Sequence, residues 1–169
     1  SCLLVIDFQS RLMPAIDGGP AAVANARRLL DAAALLDIPV RFTEQNPAGL
    51  GGTVKDLEPP PGSMSHKMTF DAVRSPEFLE ALPPDRAMIV TGCEAHVCVL
   101  QTVLGLLDHG RRVFVVRDAI GARRAENKET AIRRMEQHGA EIVTTEMVAF
   151  EWLSTCEHPR FRDVVALIK

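Results

Sequence analysis

An α/β domain built on a mainly parallel sheet is the fold class this sequence predicts, and three observations predict it. Short apolar runs alternate with longer stretches of helical periodicity. The first run, Cys2-Leu-Leu-Val-Ile6, is apolar throughout, as a central parallel strand buried on both faces must be. Polar residues then stand directly after the runs, at Asp7, Thr43-Glu-Gln45 and Thr91 onward. In open parallel sheets that is the edge where ligands bind.

Taken in order, Pro20 opens a helix to about Asp37, with Val23, Ala26, Leu29, Leu30, Ala33 and Leu36 along one apolar face. Ile38–Phe42 is the second strand. From Asn46 to Ser63 the chain turns to Asn-Pro, Gly-Leu-Gly-Gly and Pro-Pro-Pro-Gly, turn chemistry that predicts a long flap with room for one helical turn. Gly49-Leu-Gly-Gly52 lacks the fingerprint of a phosphate loop, which weighs against mononucleotide binding. His66-Lys-Met-Thr-Phe70 follows without assigned structure, and Ser75-Pro-Glu starts a helix toward Phe78 and Leu82. Strands are predicted at Ala87–Val90, at Arg111–Val116 with Asp118 at its end, and at Ala140–Thr144. Helices are predicted from His96 to His109, from Asn127 to His138 with Gly139 as terminator, from Glu146 to Leu153, and near Pro159 to the chain end.

The 169 residues and 47% hydrophobic content fit one domain, 1–169, with no internal repeat. A net charge of −3 with dispersed Lys and Arg gives no footprint for nucleic acid or an acidic membrane surface, so a small-molecule substrate is expected. Cys2, Cys93, Cys98 and Cys156 match neither a disulfide scaffold nor a paired zinc motif, and no run reaches the roughly 20 apolar residues of a membrane span. A cytoplasmic setting is expected, because Ser1 leads straight into a strand without a charged leader.

Cys98 stands where a strand turns into a helix. Unpaired N–H groups and the positive end of the helix dipole favour thiolate over thiol there, although a free cysteine is more often simply a small buried hydrophobe. Asp after a strand is equally a turn residue, and Lys67 read in isolation is a solvated charge. The convergence of Asp7, Glu44, Lys67 and Cys98 on one sheet edge carries more weight than any of them singly.

Leu4-Val-Ile-Asp-Phe-Gln9, a lysine shortly before Phe70, and Thr91-Gly-Cys-Glu-Ala-His-Val-Cys-Val99 resemble the isochorismatase-like cysteine hydrolases. Thr43-Glu-Gln45, Glu94-Ala-His-Val-Cys98 and His158-Pro-Arg-Phe161 resemble its branch of small isochorismatase-domain-containing proteins. The resemblance implies a three-layer Rossmann-like domain, a triad of Asp7, Lys67 and Cys98, and a cis peptide between Cys93 and Glu94. It also implies an oxyanion hole from the N–H groups of Glu94 and Cys98, and a homo-oligomer. Phe8, Gln9, Glu44, Gln45, Phe70, Glu94 and His96 are the expected substrate pocket. Nicotinamidases of the superfamily carry a histidine metal site after the second strand; Thr43-Glu-Gln-Asn-Pro47 has no histidine, so no metal and no cofactor are expected. The expected activity is hydrolysis of a C–N bond through a Cys98 thioester. The competing reading is a catalytically silent protein of the same fold that binds or oligomerises.

Overall fold

The computed structural model describes residues 1–169, and its centre is a six-stranded, wholly parallel sheet. The strands are β1 Cys2–Ile6, β2 Val40–Gln45, β3 Met64–Lys67, β4 Met88–Cys93, β5 Val113–Gly121 and β6 Glu141–Val143, in spatial order β3-β2-β1-β4-β5-β6. The helices are α1 Gly19–Leu35, α2 Pro47–Leu50, α3 Pro76–Ala81, α4 Leu100–Asp108, α5 Ala125–Gln137, α6 Thr145–Leu153 and α7 Phe161–Ile168.

The period of two in β1 distributes its apolar run between two layers. Cys2, Leu4 and Ile6 face a cluster with Phe78 of α3, Val103 and Leu106 of α4 and Ile132 and Met135 of α5. Leu3 and Val5 face Ala22, Ala26 and Leu29 of α1 and Val148 of α6. A fully apolar strand is therefore what a three-layer arrangement requires at its centre. Beyond α1, helices α6 and α7 close a smaller cluster of Ala149, Leu153 and Val164 on Ala32. No helix is long and apolar enough to cross a membrane.

Five elements differ from the sequence-based expectation. β3 had no strand assigned to it, because an edge strand of four residues paired on one side, Met-Ser-His-Lys, carries no apolar alternation. β2 begins at Val40 rather than Ile38 and runs through Thr43-Glu-Gln45, so those polar residues lie within the ladder rather than after it. β4 and β5 run on to Cys93 and Gly121 across a register shift between Val90 and Gly92, which places Asp118 inside a strand. The stretch expected to begin a regular helix at His96 is instead one π-turn, Ala95–Val99, with α4 starting at Leu100.

Candidate active site

β1, β3 and β4 all end at the carboxyl edge of the sheet, β3 separated from β1 by β2, and each delivers one of the three triad residues expected from the resemblance. Asp7 follows β1 with φ 50, in the left-handed region that Asp tolerates better than most residues. Its N–H donates to Thr43 O at 3.1 Å, and Gln9 N–H returns to Asp7 O at 2.9 Å, so the chain reverses tightly and turns the carboxylate inward. Thr43 Oγ1 donates to Asp7 Oδ1 at 2.7 Å and Lys67 Nζ to Asp7 Oδ2 at 2.7 Å. The Lys67 and Asp7 side chains are 2% and 1% exposed. Lys67 also donates to Thr69 O at 3.2 Å. A lysine that looks solvated in sequence is thus buried, because its counterion arrives from 60 residues away.

Cys98 reaches the same place from β4. Gly92 has φ 143, and a Cβ there would collide with Ile6 O, so only glycine lets β4 approach β1 this closely where the site begins. The Cys93–Glu94 peptide is cis, and the Glu94 N–H donates to no backbone carbonyl. Glu94 O instead accepts from Val97 and Val99 N–H, which closes the π-turn carrying Cys98.

The Cys98 thiol is only 6% exposed, and burial pushes it up to about 12. The Asp7 charge adds to that rise, and Lys67 opposes it through charge and hydrogen bonding. This corrects the expectation of a thiolate poised by a helix start. Desolvation first, and the neighbouring carboxylate after it, keep the proton on sulfur.

Cys98 opens into a cavity of 260 Å³ lined by Leu12, Gln45, Leu50, Phe70, Glu94, Val97 and Arg123. A larger groove of 590 Å³ beside Met13, Pro20, Val23 and Val54 contains none of Asp7, Lys67 or Cys98, so the smaller cavity is the candidate site. Of the expected pocket residues, Gln45, Phe70 and Glu94 line the cavity, whereas Phe8, Gln9, Glu44 and His96 do not. Phe8 is buried in the layer under α1, on the opposite face from Cys98. Gln9 is a clamp: its Nε2 donates to Gln45 O at 3.0 Å and Gly51 O at 2.7 Å, and its Oε1 accepts from Gln45 N at 2.9 Å. Glu44 holds the flap, accepting from Thr53 N at 2.6 Å and Thr53 Oγ1 at 2.8 Å, with His66 Nε2 3.2 Å from its other oxygen. His96 Nε2 lies 3.3 Å from Asn127 Nδ2 on α5.

Sequence reasoning missed Leu12, Leu50, Val97 and above all Arg123. Its Nε donates to Glu94 Oε2 at 2.9 Å, and its backbone N–H donates to the same oxygen at 3.2 Å. The available signal was an arginine soon after a strand; a strand that stops at Val116 leaves Arg123 in an unplaced loop. No group of three or more His, Cys, Asp or Glu side chains is arranged to hold a metal ion.

The isochorismatase domain, as a family model, matches residues 1–147, which include Asp7, Lys67 and Cys98. The chain belongs to the isochorismatase family. Isochorismatase domain-containing protein 2 of Homo sapiens is 36% identical over 170 residues, spanning 100% of this chain and 83% of that protein. The protein of that name from Xenopus laevis is 36% identical over 171 residues, with 99% and 83% covered. Among solved structures, the MAR1 ribonuclease from Caenorhabditis elegans superposes with a TM-score of 0.94 at 37% identity, covering 99% of this chain and 88% of that one. The YcaC gene product from Escherichia coli, described as an octameric hydrolase of unknown specificity, superposes with a TM-score of 0.87 at 25% identity, covering 99% and 83%. The fold is accordingly the isochorismatase-like α/β fold, shared with structural neighbours described as hydrolases.

Proposed function

We propose that this member of the isochorismatase family is a cysteine hydrolase that cleaves the C–N bond of a small amide through a thioester on Cys98. The observation that carries the reading is the buried Lys67–Asp7 pair, 2.7 Å long, set against a thiol raised to about 12. At neutral pH such a group rests as the thiol, so attack needs a base at hand. Asp7 takes the Cys98 proton as sulfur bonds to the carbonyl carbon. Lys67 offsets the negative charge that moves between carboxylate and sulfur. The carbonyl electrons pass to oxygen, which the N–H groups of Glu94 and Cys98 receive; the unclaimed Glu94 N–H supports that role. As the tetrahedral centre collapses, the C–N bond breaks and Asp7 returns the proton to the leaving nitrogen. Water then attacks the thioester, yields its proton by way of Asp7 to sulfur, and releases the acid.

The substrate is small because a 260 Å³ cavity lies below the roughly 300–1,000 Å³ range of drug-sized ligand sites. The same reading takes residues 1–169 as one domain working in the cytoplasm without metal, cofactor or nucleic acid. The octameric state of YcaC supports a homo-oligomer here.

Intact-mass measurement after incubation with a panel of small primary amides tests the proposal. An acyl adduct on Cys98, absent from Cys98→Ala together with turnover, is expected. No adduct combined with unchanged turnover in Cys98→Ala would refute it. RNA belongs in the panel because of the name of the C. elegans relative. Cleavage of RNA independent of Cys98 would replace the amidase reading, and silence toward every probe would favour a binding protein.

A further inference from the structure

We propose that Arg123 is the specificity-determining residue of the cavity, selecting small amides that carry a carboxylate a short apolar spacer away from the scissile group. The inference rests on the amidase reading and adds to it the class of substrate.

Arg123 is fixed in place from two directions. It follows β5 directly, one residue after the bridge that joins Asp17 to Ala122. Its Nε and its backbone N–H both donate to one oxygen, Glu94 Oε2. The Glu94 side chain is 10% exposed and that of Arg123 60%, so a buried carboxylate holds a largely exposed arginine that lines the cavity. The two Nη groups donate to no protein acceptor, while Nε alone meets Glu94. The Nε contact leaves both Nη groups available to a further anion.

The other side-chain donors near the sulfur already have protein partners. Lys67 Nζ serves Asp7 and Thr69 O, and Gln45 Nε2 donates to Met68 O at 3.3 Å. Leu12, Leu50, Phe70 and Val97 make the remaining wall apolar. Among the residues lining the cavity, Arg123 is the one cationic side chain, and its Nη groups have no protein acceptor. A molecule whose carboxylate meets Arg123 has its amide free to lie toward Cys98, the other polar end of the same cavity. The paired Nη donors match a carboxylate's two oxygens, and guanidinium stays protonated throughout the working pH range.

The test measures binding in Cys98→Ala, where no turnover intervenes, by calorimetry with three probes of similar length: succinamate, butyramide and β-alaninamide. Succinamate should bind at least about tenfold more tightly than butyramide, the gain typical of a charge-assisted pair, and β-alaninamide should bind most weakly. Adding Arg123→Gln should bring the succinamate-to-butyramide ratio to about one. Arg123→Lys, which keeps the charge without the fork, should retain part of the preference, and it replaces the Gln variant if that variant does not fold. Equal affinities for succinamate and butyramide, a preference that survives Arg123→Gln, or no binding of any probe would overturn the inference. A residue that merely supports Glu94 would shift all three affinities together and leave their ratio alone. The two proposals fail separately: wild type that acylates with butyramide but shows no succinamate preference loses only the anion site, whereas an Arg123-dependent preference without a Cys98 adduct in wild type loses only the amidase.

Discussion

Lys67→Met keeps the length of the side chain and removes its charge, leaving the Asp7 carboxylate with the Thr43 hydroxyl and the Cys98 thiol as weaker partners. Both members of the pair are almost wholly buried, and their atoms meet at 2.7 Å. Removing one partner of such a pair costs about 3–5 kcal/mol, most of it the penalty of an uncompensated buried charge. For a domain of this size that corresponds to a fall in Tm of about 6–20 °C. Asp7→Asn combined with Lys67→Met removes both charges while nearly conserving volume, so the double variant should be more stable than Lys67→Met alone. The coupling in the cycle should reach about 2 kcal/mol or more. Urea denaturation followed by far-UV circular dichroism, with m compared across the four proteins, reads these values. A Lys67→Met cost under about 1 kcal/mol, or a double variant whose loss equals the sum of the singles, would refute the reasoning from a dry, paired site.

Iodoacetamide at neutral pH, followed by peptide mass mapping, should label exposed Cys156 first and Cys98 more slowly, since Cys98 is buried and held as thiol; Cys98 labelled ahead of Cys156 would contradict the neutral resting thiol. Stability should also fall on the alkaline side. Burial raises Cys2 to about 11 and Cys93 and Cys98 to about 12, against an ordinary value of 9.0. Between pH 9 and 11 the unfolded chain therefore holds fewer protons than the folded one. The stabilisation is complete below about pH 9 and is lost as pH rises, by up to about 1.4 kcal/mol per pH unit for each thiol. Urea midpoints taken from pH 8 to 11 check this, and a flat profile would refute it.

The layered architecture was legible because β1 and β4 carry apolar runs that a parallel sheet needs, and α1 shows its apolar stripe plainly. What was not legible depends on partners distant in sequence. β3 has too few residues and too little apolar character to announce itself, yet it carries Lys67. Local pattern places that lysine in water; only the topology, which sets β3 two strands from β1, brings it to Asp7. Phe8 and Gln9 adjoin Asp7 in sequence and so looked like pocket residues, but the turn after β1 sends one into the opposite layer and the other into the flap. The state of Cys98 followed the same logic, since its surroundings, rather than its position at a helix start, set its proton affinity. Arg123 is placed by the continuation of β5 past its register shift, which no local pattern signals.

Gln9 and Asp7 belong to one tight reversal of the chain, and Gln9 is bonded to the segment that carries Leu50 over the cavity. That wall and the carboxylate are therefore a single mechanical piece. The entrance wall and the chemical centre thus share one anchor, two residues long, and the outline of the cavity is set by the same turn that aims the carboxylate.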